Sequence, residues 1–388
     1  MTEQVLVSVV MPCLNEERSV GVCTGKAMEA FRRLGVAGEV VVVDNGSTDR
    51  STDVAAAAGA RIVREKRRGY GAALRRGIRE ARGRYVIMGD SDDSYDFSDL
   101  AKFVRALQDG ADLVMGSRLR GTIHAGAMPR LHRRVGTPVL TAVLNFFYKT
   151  GISDVNCGMR GFRKDAIEAL DLRCDGMEFA SEMVIKAAIR RLAIREAAID
   201  YYPTAGGRVP HLKTFSDGWR HLRFMLILRP KYLFIYPGLA LFLLGAALMV
   251  LLEFGDVVVF GVPLGISTAI FAGALIILGM QIAKFGVYAK ILGARGASLS
   301  PDDRITRFLE KHFTLEKGLV AGAAILAAGL ALGAVTAVWL YQIARAQAGV
   351  HVGVTKLATL SIIIIILGIQ TIFASFYLSL LDLERTLK

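Results

Sequence analysis

Between residue 229 and the C-terminus, four stretches, 232–252, 257–283, 318–344 and 357–381, contain no Asp, Glu, Lys, Arg or His. Each meets the roughly 20 residues needed to cross a hydrocarbon core. Lipid offers the backbone no hydrogen-bond partner, so such stretches must be helices, and four transmembrane helices are expected. Gly322, Gly329 and Gly333 are expected to mark close helix contacts. The preceding residues mix charge with short apolar runs, so the chain divides into a soluble domain, 1–228, and a membrane domain, 229–388.

Orientation follows from the connecting segments. Residues 253–256 carry no Lys or Arg, whereas 284–317 carry Lys284, Lys290, Arg295, Arg304, Arg307, Lys311 and Lys317. The positive-inside rule puts the second segment in the cytoplasm, and an even number of crossings puts both termini there as well. The N-terminus lacks the pattern of a signal peptide, because Asn15-Glu16-Glu17 interrupts the first apolar run. The expected location is the cytoplasmic (inner) membrane, with the soluble domain on its cytoplasmic side. Pro301-Asp302-Asp303, followed by Ile305, Phe308, Leu309 and Phe313, reads either as an interfacial helix over 301–314 or as a simple connector.

A net charge of +13 suits nucleic acid, an anionic leaflet or phosphorylated small molecules. No recognition helix, zinc finger or aromatic stacking platform accompanies the arginines, which argues against nucleic acid. The four cysteines form no CxxC pair and the six histidines no HExxH spacing, so neither a disulfide framework nor a zinc site is expected.

In the soluble part, β-branched or apolar runs at 5–11, 39–44, 84–89 and 112–116 alternate with helix-length segments. This is the pattern of an α/β domain with a mainly parallel sheet, whose ligands sit beyond the carboxyl ends of the strands. The first strand is followed by Met11-Pro12-Cys13-Leu14-Asn15-Glu16-Glu17 and the second by Asp44-Asn45-Gly46-Ser47-Thr48-Asp49. Carboxylates there can accept from a base or ribose, while Ser47, Thr48 and Asp49 can equally cap the next helix. Gly69-Tyr70-Gly71, preceded by Arg64, Lys66, Arg67 and Arg68, opens a helix start that could approach a diphosphate, although its spacing is neither a dinucleotide fingerprint nor a Walker loop.

The sharpest signal is Gly89-Asp90-Ser91-Asp92-Asp93-Ser94 at a strand end. Asp90, Asp92 and Asp93 repel one another unless a cation joins them, and a hard divalent metal bridging to a diphosphate relieves that cost. A polar turn capping the next helix is the plainer alternative. A basic series follows: Arg118, then Arg130, His132, Arg133 and Arg134, then Arg160 and Arg163. Guanidinium forks fit phosphate oxygens, though part of this series is expected to be ordinary surface charge.

Taken together, Pro12 to Glu17, Asp44 to Asp49, Asp90 to Asp93 and Gly116 to Arg118 resemble family 2 glycosyltransferases of the GT-A fold. The run Gly176-Met177-Glu178-Phe179-Ala180-Ser181-Glu182-Met183, with Asp217 to Leu222, resembles more specifically the bacterial polyprenyl-phosphate (dolichyl-phosphate type) sugar synthases. The resemblance implies a GT-A domain that transfers one hexose, with inversion, from a nucleotide sugar to a polyprenyl phosphate. UDP-glucose is favoured over GDP-mannose, and Mg2+ or Mn2+ is the implied cofactor.

It further implies that Pro12, Leu14, Asn15, Glu16, Asp44, Ser47, Gly71, Asp90, Ser91 and Asp92 hold the nucleotide sugar, and that Asp90, Asp92 and Asp93 hold the metal. Arg118, Arg130, His132, Arg133, Arg134, Arg160 and Arg163 become the phosphate-binding set. Asp92, Arg118 and Glu182 become the catalytic candidates, Glu182 either orienting the donor sugar or capping a helix. Two departures stand out. Asn45 replaces a usual Asp, and Pro210-His211-Leu212 replaces a usual Ser-Lys-Leu, so Arg208, His211 or Lys213 would have to stand in for the lysine.

Three rivals remain at this point. A processive polysaccharide synthase would be expected to carry QxxRW, which the chain lacks. A non-catalytic nucleotide-binding scaffold and a transporter are the others, and the sequence also leaves homo-oligomerisation open.

Overall fold

The computed structural model describes residues 5–204, 214–253, 258–259, 262–295, 315–346 and 352–386. Arg208, His211, Lys213 and the 301–314 segment lie outside the described residues. The chain clusters into two compact units, Met1–Met225 and Leu226–Lys388.

The first unit is built on a seven-stranded sheet of β1 (Val7–Cys13), β2 (Gly38–Asp44), β3 (Arg61–Arg64), β4 (Tyr85–Met88), β5 (Leu113–Ser117), β6 (Arg160–Arg163) and β7 (Ile194–Ala198). Their order is β3-β2-β1-β4-β6-β5-β7. Four neighbouring pairs run parallel; β6 alone runs antiparallel, to both β4 and β5. Val40 to Val43 are buried on both faces of β2, as a strand covered on both sides by helices requires. Cys23, Ala27 and Phe31 of α1 (Val20–Leu34) close one side over Val7, Val9 and Met11, together with Phe97, Leu100 and Phe103. The other helices of this unit are α2 (Ser51–Ala57), α3 (Tyr70–Glu80), α4 (Ala101–Gln108), α5 (Thr137–Tyr148), α6 (Lys164–Glu168), α7 (Phe179–Ile189) and α8 (Thr214–Ile227).

The mainly parallel sheet is therefore interrupted by one inverted strand, which sets the site. Register pairs Cys13 with Asp44 and Val10 with Met88, so the chains leaving β1, β2 and β4 emerge on one rim. Because β6 is inverted, the residues that enter it, 154–159, arrive at that same rim.

In the second unit, α9 (Tyr236–Glu253), α10 (Ile266–Arg295), α11 (Leu315–Arg345) and α12 (Val352–Thr386) are each long and apolar enough to cross a membrane. A Cβ on Gly322 would sit 2.7 Å from Ile372, and one on Gly329 would sit 2.8 Å from Ile365, so both glycines lie at close α11–α12 contacts; Gly333 is looser, at 3.4 Å from Ser361. Two boundaries differ from expectation. Val258–Val259 pairs antiparallel with Val262–Pro263 and the helix starts only at Ile266, in keeping with valines and a proline that lacks an N–H. Lys284 and Lys290 lie not in a loop but on α10, which runs unbroken to Arg295.

Candidate active site at the strand ends

Side chains lock the β1 and β2 exits together. Asn15, held at φ 59°, accepts from the Thr48 N–H at 2.8 Å through its side chain, and its own N–H donates to Ser47 Oγ at 3.1 Å. The Glu16 N–H donates to Ser51 Oγ at 2.7 Å, and Asp44 accepts from the Ser47 N–H at 2.8 Å. Ser47 thus braces two loops, more than a helix cap does. Pro12 adds a carbonyl that accepts from Ser91 Oγ at 2.8 Å, tying β1 to the acidic loop after β4, and Leu14, half-buried, is the first residue of the turn that leaves β1. Asn45 donates to the Glu65 and Arg67 carbonyls at 3.0 and 2.8 Å and accepts from the Gly69 N–H at 2.8 Å. An ionised Asp has no hydrogen to give either carbonyl, which is the physical content of that departure from the usual motif.

Gly71 has a different reason to be glycine than the approach of a diphosphate. A Cβ there would lie 2.4 Å from the Cys174 carbonyl oxygen. The Ala72 N–H already donates to the Asp175 carbonyl at 3.1 Å, and Arg67 and Arg75 both reach the Asp175 carboxylate. The start of α3 is thus occupied by the 174–176 loop.

The acidic cluster resolves into two carboxylates and one outlier. Asp92 accepts from the Ser94 N–H and hydroxyl at 3.1 and 2.6 Å. Asp93, in a left-handed conformation at φ 61°, turns away to Lys26 of α1 at 2.7 Å and so leaves the expected metal set. Asp90 is raised to about 7, first by burial and next by the charge of Asp92, against the opposing effects of Tyr70, Arg118 and Arg160. Tyr70 hydrogen-bonds Asp90, and burial raises the Tyr70 hydroxyl, keeping it protonated as a donor. Gly158 passes so close that a Cβ would sit 2.9 Å from Asp90 Oδ2. No group of three or more His, Cys, Asp or Glu gathers around a common point among the described residues. Two carboxylates are nonetheless what Mg2+ needs when substrate phosphates complete its shell, and a raised, repelled acid is what a cation relieves.

Arg118 faces this pair. Its Nε and Nη2 grip Asp154 at 2.7 and 2.9 Å, and its guanidinium carbon lies 5.1 Å from the Tyr201 ring centroid. Arg118 is 7% exposed and Asp154 fully buried. Tyr201 stands 5.3 Å from Tyr95, whose hydroxyl accepts from the Gly158 N–H at 2.9 Å. Asp90, Asp92, Arg118, Tyr95 and Tyr201 therefore form one electrostatic neighbourhood. Tyr95, Asp154 and Tyr201 carry no motif of their own, and Tyr70 stood out only as the middle of the Gly69-Tyr70-Gly71 helix start.

Three expected residues serve the scaffold instead. Arg160 is fully buried, and its guanidinium donates to the carbonyls of Cys157, Val155 and Ala180, leaving it unavailable to a phosphate. Arg163 pairs with Asp112 and Asp165 at 3.2 and 2.6 Å. Glu182, 3% exposed, accepts from the N–H groups of Arg173 and Cys174 at 3.0 and 2.9 Å and pairs with Lys186 at 2.8 Å, so it anchors the 171–175 loop rather than a sugar. Arg130, Arg133 and Arg134 are exposed, and His132 half-buried, at the start of the helical turn that leads into α5.

An α/β unit with an acid pair and an arginine at its strand ends, followed by four membrane-length helices, defines the class: a membrane-bound group-transfer enzyme. Residues 8–171 match the Glycosyl transferase family 2 profile, and residues 287–382 match the Glycosyltransferase family 2 C-terminal transmembrane region. The low-salt glycan biosynthesis hexosyltransferase Agl6 of Haloferax volcanii is 41% identical over 376 residues, covering 96% of this chain and 88% of that protein. The chain belongs to family 2 of the glycosyltransferases. The dolichyl-phosphate hexose transferase of the same organism is 32% identical over 199 residues, 51% of this chain and 84% of its own length. Among solved structures, glucosyl-3-phosphoglycerate synthase from Mycobacterium tuberculosis overlaps 57% of this chain and 79% of its own at 23% identity, with a TM-score of 0.45.

Proposed function

We propose that this glycosyltransferase moves one hexose from a nucleotide sugar, UDP-glucose in preference to GDP-mannose, to a polyprenyl phosphate at the cytoplasmic face of the membrane. The observation that carries this reading is the pairing of the Asp90–Asp92 acids with the buried Arg118–Asp154 ion pair beneath Tyr201. Four apolar spans in the same chain support a lipid acceptor, as does the name of the dolichyl-phosphate relative. The preference for UDP-glucose rests on family likeness. The catalytic part comprises residues 1–228 and the membrane part 229–388, with the termini cytoplasmic by the distribution of Lys and Arg.

In the reaction, an oxygen of the acceptor phosphate attacks the anomeric carbon while the bond from that carbon to the diphosphate oxygen breaks, inverting the centre. A phosphate monoester has a second pKa of about 6 and is already largely dianionic at neutral pH, so no strong general base is needed. This agrees with a Glu182 that is committed to its own loop. Asp90 and Asp92 would hold Mg2+ or Mn2+, and the ion would offset the charge that develops on the departing diphosphate. Tyr70 keeps Asp90 oriented, Asp154 keeps Arg118 oriented, and Arg118 sets a positive charge where two anionic substrates must meet.

Incubation of membranes with labelled UDP-glucose or GDP-mannose, followed by counting of the organic-phase product with and without magnesium, tests the proposal. The Asp92→Asn variant should fold and insert yet make no lipid-linked product. Normal turnover by that variant would remove the metal assignment.

A further inference from the structure

Helix α3 carries a stripe that the strand-end site does not use. Ala72, Arg75, Arg76 and Arg79 are spaced as residues on one face of a helix. Opposite them run the end of α6 and the turn that follows it, and between the two lies a cavity of about 490 Å³. Ile78, Ile167 and Leu172 add apolar surface to its lining, and Glu65, Glu168 and Asp171 add acids. None of the Asp90, Asp92, Arg118, Tyr95 and Tyr201 group lines it.

The arginines are incompletely paired. Arg75 reaches the Asp175 carboxylate and the Leu172 carbonyl through its terminal nitrogens, and Arg76 reaches Glu80 at 3.0 Å in the same way. In both, the Nε–H is buried with no acceptor among the described residues. Buried donors are nearly always hydrogen-bonded, because leaving one unmade is costly. The acids of the cavity do not supply the acceptor. Glu65 accepts from the Arg67 N–H at 2.8 Å, Glu168 pairs with Lys164 at 3.6 Å, and Asp171 pairs with Arg173 at 2.6 Å. Each acid is thus engaged outside the arginine stripe.

We propose that this cavity is a second ligand site, which takes a phosphate-bearing small molecule. The phosphate oxygens accept from the Nε–H groups of Arg75 and Arg76 and face Arg79, while the organic part lies against Ile78, Ile167 and Leu172. Guanidinium donors suit phosphate oxygens, and an apolar lining with a few convergent polar groups is the usual make-up of a small-molecule site. The inference rests on the first unit alone, so its failure would leave the glycosyl-transfer reading as it stands.

The test dialyses the full chain, in phosphatidylcholine nanodiscs with divalent ions chelated, against radiolabelled inorganic pyrophosphate. Wild type should bind saturably, and Arg76→Gln with Arg79→Gln should bind at least about tenfold more weakly. Arg32→Gln with Arg33→Gln removes the same charge from α1, where the Arg32 side chain is 74% exposed, and should bind as wild type does. Sugar transfer by the Arg76/Arg79 variant should stay near the wild-type rate, which shows that it has folded. Absence of saturable binding by wild type overturns the proposal. Equal weakening in the two double variants also overturns it, and would assign the binding to general attraction by a basic chain.

Discussion

Arg118 is held by a carboxylate that water never reaches, and both ends of that pair matter for different reasons. Removing one partner of a buried ion pair leaves an uncompensated charge, so Asp154→Ala should cost about 3–5 kcal/mol of stability and release the guanidinium. Asp154→Asn keeps the shape but weakens the grip. Its signature should be a loss of transfer per folded molecule larger than its loss of thermal stability, read from turnover and melting in the same detergent. Glu182 makes the opposite case. Glu182→Gln should lower stability by about 1–3 kcal/mol through the N–H groups it leaves poorly paired, while the folded fraction keeps near-normal turnover. Glu39 offers a pH test. Burial would raise its pKa, but the Arg82 N–H, the Ser8 hydroxyl and Arg61 together hold it below the ordinary carboxylate value. A depressed acid stabilises the fold above its unfolded pKa, and this is lost as pH falls through the folded value. Glu39→Gln should therefore melt earlier near neutrality and lose less on acidification from about pH 5 downward, by thermal melts across that range. At this scale the sequence marked the right loops but not the division of labour. Three aspartates in a row of four looked equivalent, and only α1, brought alongside from sixty-odd positions away, shows that Lys26 removes Asp93 from the set. In the same way Arg160 reads as a phosphate ligand until the carbonyls around it are seen.

Strands β1, β2, β4 and β5 were legible because short apolar runs mark strands buried on both faces. Strands β3, β6 and β7 were not, since RIVR, RGFR and IREAA each carry charge within a short segment. The inverted β6 in particular depends on long-range pairing that no local pattern announces. One short strap shows how elements deliver the chemistry. Residues 199–202 bond to the Ser117 carbonyl, the Thr122 carbonyl and the Ser94 carbonyl through the N–H groups of Ile199, Tyr201 and Tyr202, and so carry Tyr201 between Arg118 and the acidic loop. Gly121 allows this approach, because a Cβ there would lie 2.0 Å from the Ile199 carbonyl oxygen. Gly121→Ala should push the strap outward at an overpacking cost of about 1–3 kcal/mol. The expected result is a fold that persists by circular dichroism with transfer sharply reduced.

Across the whole molecule, composition alone separated a charged, sheet-containing part from a part with four spans, because the demand of lipid for charge-free helices is the least negotiable rule a sequence obeys. The finer boundaries escaped it, since hydropathy counts charges and not hydrogen bonds: the valines before Ile266 pair as two short antiparallel strands, and Lys284 continues a helix. Chelation is the prediction proper to this scale. Stripping divalent ions should abolish transfer and leave the protein inserted and helical, and Mg2+ or Mn2+ should restore it. Restoration should demand more metal at lower pH, because Asp90 must give up its proton to serve as a ligand.

The inverted strand also has a bearing on how such enzymes diversify. Residues 118–159 leave β5 and return on β6, its hydrogen-bonded neighbour, with the Gly116 N–H closing onto the Met159 carbonyl at 2.9 Å. A detour whose two feet stand side by side can lengthen, shorten or change character at little entropic penalty to the sheet. Arg118, Asp154 and α5 all travel on that detour, whereas Asp90 and Asp92 do not. Exchange of this single cassette between relatives should therefore alter what receives the sugar while leaving untouched what donates it.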